Sequence, residues 1–129
     1  MRTHLGLALL ALCALATDVT AAPPDLLPLE RGAYALETTP CPQRSRAEIM
    51  TFWGDRLNQS SAECRISEVR SEGQTYTYRS RCKIEGERRP QVETVTMRIP
   101  DPKHFVITQV VDGKAHKTAY KWCAYRAFD

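Results

Sequence analysis

The chain has 129 residues and a formal net charge of +3 at pH 7, with 43% hydrophobic and 26% charged residues. These proportions are typical of one globular domain and exclude disordered, collagen-like and coiled-coil chains. The charge is too small and too evenly mixed to favour a nucleic acid as partner.

The first residues have the parts of a secretory signal peptide. A basic residue at Arg2 precedes an apolar run of about twelve residues at positions 5–16, which is too short to cross a bilayer as a helix. Small residues then precede Ala22, as signal cleavage requires. We expect residues 1–21 to be removed, so that the mature chain begins at Ala22 and contains no transmembrane segment.

The segment after the signal peptide begins with a proline-rich stretch. It continues into a region for which both a strand and a short helix are predicted. Residues 22–31 form a proline-rich lead-in, which we expect to be extended. The domain proper is predicted over 32–129, with a first strand at 32–38. The apolar and aromatic run at 48–53 predicts a second strand, whereas residues 44–51 also favour a short helix. Periodicity does not decide between the two.

The second half of the chain alternates polar and apolar residues in runs separated by turn signals. The strongest signal is Asp112-Gly113, a dipeptide that favours a two-residue hairpin turn. The predicted fold is mainly β, an antiparallel meander of about six strands that closes or curls to protect its edges. The predicted strands of this half are 63–70, 75–84, 92–99, 104–111 and 114–125.

Signal removal also removes Cys13 and leaves an even number of cysteines for an oxidising compartment. No two of them are separated by two to four residues, although structural zinc sites almost always contain such a pair. No glycine-rich phosphate loop is present either. The sequence therefore predicts two disulfides and neither metal nor cofactor. The four cysteines are Cys41, Cys64, Cys82 and Cys123.

Residue counting predicts how these cysteines pair. If residues 71–74 form a turn, Cys64 lies directly opposite Cys82 on the adjacent strand, within the reach of a disulfide. Cys41 then pairs with Cys123 by elimination. The second bond would join the start of the domain to its last strand.

The same counting applies to the last hairpin and its two histidines. Neither histidine gains a carboxylate partner in this register, so we expect surface histidines rather than catalytic ones. No serine nucleophile elbow is present. The opposed pairs are Phe105 with Tyr120, His104 with Lys121 and His116 with Gln109.

A pair of carboxylates is the remaining route to catalysis, since many acidic residues are available. Most acidic residues of a domain are simply solvated, and the sequence does not select a pair. An envelope-associated hydrolase is therefore the alternative prediction. The acidic residues considered are Glu48, Asp55, Glu63, Glu68, Glu93 and Asp112.

A basic strip is the one candidate contact surface in the sequence. Arg79, Arg81 and Lys83 alternate along one predicted strand and project from one face, away from the tyrosines at positions 76 and 78. Such a strip is suited to an anionic ligand. It also suits a solvated outer face that discourages edge aggregation.

The order of these features resembles that of short exported proteobacterial proteins of an uncharacterised periplasmic family. Arg31-Gly32-Ala33-Tyr34 precedes the spaced cysteines, as the first strand of that family does. A weaker likeness is to small periplasmic β-barrel inhibitors of lysozyme. The resemblance implies a β-rich fold and a periplasmic or secreted location.

The functional prediction follows from location and from the missing catalytic motifs. We expect a non-enzymatic binding or inhibitor-type module. The sequence does not identify its partner; an envelope protein and an anionic envelope polymer are the two candidates.

Overall fold

Eight antiparallel strands close into one barrel in the computed structural model, which describes residues 13–17 and 24–127. Each strand pairs with the next along the chain, and the last pairs with the first. The strands are β1 Gly32–Leu36, β2 Met50–Phe52, β3 Leu57–Gln59, β4 Ala62–Glu72, β5 Thr75–Ile84, β6 Gln91–Asp101, β7 His104–Val111 and β8 Lys114–Ala124.

The predicted fold class is confirmed, and the strand count is eight rather than about six. One strand that the sequence did not predict is β3, Leu57–Gln59. It has three residues, and only Leu57 is buried. Such a short strand shows no repeated alternation of polar and apolar residues in the sequence. The region for which both a helix at 44–51 and a strand at 48–53 were predicted contains both elements. A single turn of 3-10 helix at Arg46–Glu48 is followed by β2.

The predicted signal peptide, residues 1–21, lies outside the described residues except for 13–17. Those five residues are exposed, and Cys13 is a free cysteine. The predicted cleavage site before Ala22 also lies outside the described part of the chain.

The last hairpin has the predicted turn and register. Asp112 and Gly113 both have positive φ, 52° and 75°, as the turn that matches the twist of a two-residue hairpin requires. Phe105 lies opposite Tyr120, and the two rings stack at 4.9 Å.

The β4–β5 hairpin differs from the prediction at its turn. Glu72 pairs with Thr75, so the turn is shorter than the predicted residues 71–74. A register shift between Ser67 and Arg70, where Glu68 has a φ of 52°, displaces the pairing by one residue. This bulge restores the register that the longer turn predicted.

Both predicted disulfides are confirmed. Cys64 lies directly opposite Cys82 and is bonded to it at 2.01 Å. Cys41 is bonded to Cys123 at 2.07 Å, which joins the β1–β2 connection to β8. In the chain-entropy model, closing loops of 18 and 82 residues stabilises the fold by about 3 and about 4.5 kcal/mol.

The barrel has two different ends, because successive turns of a meander alternate between them. The lower end has the turns at 53–56, 73–74 and 102–103, and the upper end has those at 60–61, 85–90 and 112–113. The interior is most densely filled towards the lower end. The largest fully buried side chains are Tyr34, Phe52, Phe105, Leu27 and Met97.

The lead-in completes this core from below. Leu27 and Leu29 are 1% and 5% exposed and belong to the same apolar cluster as the strand residues. The Glu30 amide donates to the carbonyl oxygen of Pro102 at 2.7 Å, and the Tyr34 hydroxyl donates to the Glu30 carbonyl oxygen at 2.6 Å. The lead-in is therefore anchored across the lower end of the barrel.

Replacing Leu27 tests this closure. We expect Leu27→Ala to lower the free energy of unfolding by about 2–5 kcal/mol, because it removes a fully buried side chain and leaves a cavity. The measurement is urea unfolding of the disulfide-bonded protein. Glu30→Ala is the matched control, since that side chain is exposed. An equal loss in both variants would contradict the anchoring.

Candidate functional site

The barrel wall has a gap between β6 and β7 near the upper end. Their pairing begins at Asp101 opposite His104, ends at Thr96 opposite Thr108, and does not continue to residues 91–95 and 109–111. Those residues are paired only on their other sides, with β5 and β8. The facing backbone edges therefore have no ladder partner among the described residues.

Exposed apolar side chains border this gap. Val110 and Val111 on β7 are 72% and 52% exposed, and Val92 on β6 is 42% exposed. Exposed apolar residues that cluster around an opening are typical of a contact or entry site.

A cavity of about 500 Å³ lies behind the gap and reaches into the barrel. Side chains from β2 to β7 line it. This volume is in the range of small-molecule sites, and eight-stranded barrels hold one small ligand in such an interior. The apolar part of the wall consists of Met50, Leu57, Val95, Ile107 and the Cys64–Cys82 disulfide.

Tyr78 is the deepest polar residue of this wall. It is 3% exposed, yet its hydroxyl has no hydrogen-bond partner among the described residues. Buried polar groups are nearly always paired with protein, water or a ligand. Ser80, two residues along the same face, is 5% exposed, and its hydroxyl contacts only the Cys82 sulfur at 3.4 Å.

Glu93 brings a negative charge to the cavity. It lies directly opposite Ser80 and lines the cavity, and its side chain is exposed to solvent. Burial raises the pKa of the Tyr78 phenol far above its usual range, and the charge of Glu93 raises it further. Tyr78 is therefore a neutral phenol, which both donates and accepts hydrogen bonds.

The predicted basic strip lies on the outer face of the barrel. Arg79, Arg81 and Lys83 are exposed, with their neighbours in β5 facing inward. Arg65 of β4 lies directly opposite Arg81, and like charges in that position repel. Arg65 was not among the predicted residues of the strip; the pairing of β4 with β5 places it there.

A shallow groove of about 400 Å³ runs beside this strip and includes Arg88 of the β5–β6 loop. Arg79 has Glu68 at 3.8 Å, and Arg65 has Asp55 at 3.6 Å. No ion pair joins Arg81 or Lys83 to another residue that the structure describes. The strip therefore keeps two cations available to an anionic ligand.

The candidate carboxylates do not converge on one site. Asp55 and Glu63 both contact Arg56, at 3.4 and 2.9 Å, on the outside of the barrel. Glu48 accepts a hydrogen bond from the Ser45 hydroxyl, and Glu93 is at the cavity. The hydrolase alternative stays a prediction, for which Asp55 and Glu63 are the pair that shares a partner.

The histidines are partly as predicted. His116 lies opposite Gln109 and His104 opposite Lys121, as counted. The expectation that neither has a carboxylate partner is wrong for His104, whose Nδ1 is 2.8 Å from Oδ1 of Asp101. The tight turn between β6 and β7 brings the two together, and their hydrogen bond lowers the pKa of Asp101.

The sequence placed Tyr78 only on the face opposite the basic strip, and Glu93 was one of six candidate carboxylates. The signal that identifies them is polarity on an inner face. On β5 a serine separates Tyr78 from Cys82, and on β6 Gln91 and Glu93 precede Val95. Polar residues on the buried side of paired strands indicate an interior that is not filled by side chains.

Comparison with known proteins adds no relative. Neither family models nor curated proteins nor solved structures contain a match to this chain. Within the described residues, no three histidine, cysteine or carboxylate side chains are grouped as a metal centre requires.

The buried phenols predict alkaline instability. Burial raises the pKa of both Tyr34 and Tyr78, whereas unfolded tyrosines ionise near pH 10. Their contribution to stability is therefore complete below about pH 10 and is lost as the pH rises above it. Each phenol steepens the fall of the free energy of unfolding by up to about 1.4 kcal/mol per pH unit.

Urea unfolding between pH 8 and pH 11.5 measures this slope. We expect Tyr78→Phe to reduce it above pH 10. Tyr125→Phe, at a side chain that is 58% exposed, is the control and should leave the slope unchanged. Identical slopes in wild type and Tyr78→Phe would contradict the burial of this phenol.

Proposed function

We propose that this chain is an exported, non-enzymatic binding module that holds a small ligand inside its barrel. The observation that carries the proposal is the cavity of about 500 Å³ behind the β6–β7 gap. Tyr78 adds to it, because it lines the cavity and its hydroxyl has no hydrogen-bond partner among the described residues, which leaves it available to a ligand.

The chemistry of the wall supports a ligand with an apolar body and one polar end. Half of the residues that line the cavity are apolar, and the other half carry polar side chains that can orient a ligand. The exposed valines at the gap suit the entry of an apolar group without a charge to desolvate.

Export is part of the proposal and has its own support. The predicted signal peptide at 1–21 directs the chain to the periplasm or the exterior, where two disulfides persist. No helix in the described parts of the chain is long and apolar enough to span a membrane. The proposed kinship with small exported proteobacterial proteins agrees with this location.

Filling the cavity mouth tests the binding function. N-phenyl-1-naphthylamine, an uncharged apolar dye at neutral pH, is the probe, and its fluorescence rises when it leaves water. We expect one dye per chain to bind wild type, and Gln109→Trp to weaken that binding at least tenfold by occupying the opening. The measurement is a fluorescence titration at pH 7.

Lys117→Trp is the matched control, because Lys117 is exposed on β8 and does not line the cavity. It should bind the dye as wild type does. Absence of dye binding to wild type, or equal binding by Gln109→Trp, would contradict the proposal.

A second function is favoured by the outer face. Arg65 opposite Arg81 is a repulsive pair, which a bound anion relieves. We propose that this face binds an anionic envelope polymer independently of the cavity. The envelope protein, as the other candidate partner, is an outcome of the same test.

Charge reversal tests the outer face, with lipopolysaccharide micelles as the probe. We expect Arg81→Glu to reduce co-sedimentation at least tenfold and wild-type binding to weaken as salt rises, because exposed charges are screened. Arg98→Glu on β6 is the control, since it makes the same charge change away from the strip. Equal losses in both variants would contradict a localised site.

A further inference from the structure

The cavity is lined by one charged residue. Among the described residues around it, only Glu93 carries a formal charge at neutral pH, and the others are apolar or neutral polar. We infer that the ligand is a small organic cation, a protonated amine on an apolar body. This inference rests on the proposed function and specifies the ligand class for the same site.

Glu93 is available as a counter-ion. No ion pair joins it to another residue that the structure describes. The nearest cations along the sheet, Arg79 and Arg81, project from the outer face, because they alternate with the inward residues of β5. The exposed carboxylate therefore has no ion pair with a described residue, although Arg79 borders the groove beside it.

The neutral groups around Glu93 can accept the remaining hydrogen bonds of an ammonium. Ser80 lies directly opposite Glu93, and Tyr78 is the next inward residue on the same strand. An ammonium has three donors and no acceptor. The Glu93 carboxylate, the Ser80 hydroxyl and the Tyr78 hydroxyl supply one acceptor each.

The ring of Tyr78 adds a second attraction for a cation. The face of an aromatic ring attracts ammonium groups, most strongly where water is excluded. Tyr78 is 3% exposed and stays a neutral phenol. A carboxylate or phosphate ligand would instead meet the charge of Glu93 and would have no cation to pair with inside the cavity.

The depth of the cavity sets the rest of the ligand. Met50, Leu57 and Ile107, together with the Cys64–Cys82 disulfide, form apolar surface in the same cavity. Each methylene group buried there strengthens binding about fourfold, the equivalent of about 0.8 kcal/mol. An unbranched alkyl or aryl-alkyl amine therefore suits the site better than a compact polyamine, which would bury further charges without partners.

Three eight-carbon probes with different polar ends test the inference: octylamine, octanol and octanoate. Each displaces N-phenyl-1-naphthylamine from the cavity at pH 7. We expect octylamine to bind at least tenfold more tightly than octanol, and octanoate to bind more weakly than octanol. Glu93→Gln should lower the affinity for octylamine at least tenfold and leave that for octanol unchanged.

Glu85→Gln is the matched control. It removes an acidic charge from the loop at the upper end, and Glu85 is exposed and does not line the cavity. We expect it to bind all three probes as wild type does. If Glu85→Gln weakens octylamine as much as Glu93→Gln, the preference comes from the general charge of that end, and the inference is overturned.

The remaining outcomes separate the inference from the function. Binding of octanol to wild type, and its loss in Gln109→Trp, would show that the cavity binds a ligand. If octanoate then binds as tightly as octylamine, or if Glu93→Gln binds octylamine with unchanged affinity, the preference for a cation is wrong although the cavity still binds ligand. If neither the dye nor any of the three probes binds wild type, the proposed function itself fails.

Discussion

Closure of the sheet by its first and last strands is the constraint on which the structure depends. Gly32 has a φ of 134°, and a Cβ there would lie 2.8 Å from Nε1 of Trp122 and would collide with the carbonyl oxygen of Ala124. Only glycine permits this approach. The Trp122 indole then donates to the Arg31 carbonyl oxygen at 3.0 Å, and the Cys41–Cys123 disulfide holds β8 to the β1–β2 connection.

Closure of the barrel encloses an interior. The candidate site lies at the end of that interior that side chains fill less completely. Towards the lower end, Tyr34 and Phe105 meet at 5.0 Å and the lead-in leucines complete the core. Towards the upper end, the small side chain of Ser80 occupies a buried position, and the exposed Glu93 lies directly opposite it. Since β6 and β7 also separate there, the same region has both space and access.

Local signals were sufficient for the hairpins but not for the site. Asp112-Gly113 specifies its own turn, and alternation along β5 specifies its two faces. The pairing of Cys64 with Cys82 was predicted correctly although its turn was misplaced, because the bulge at Glu68 offsets the difference. The point at which the pairing of β6 with β7 ends depends on the geometry of the whole barrel. No sequence pattern near Thr96 predicts it.

A wall one residue thick lets neighbouring residues serve opposite surfaces. Along β5, Tyr78 and Ser80 face the cavity while Arg79 and Arg81 face solvent, and on β6 Glu93 is inward while Val92 is outward. The acid that lines the cavity and the bases of the outer face thus lie on adjacent strands yet are oppositely directed. The two proposed sites therefore use different side chains of the same wall, so a substitution can remove one of them without changing the residues of the other.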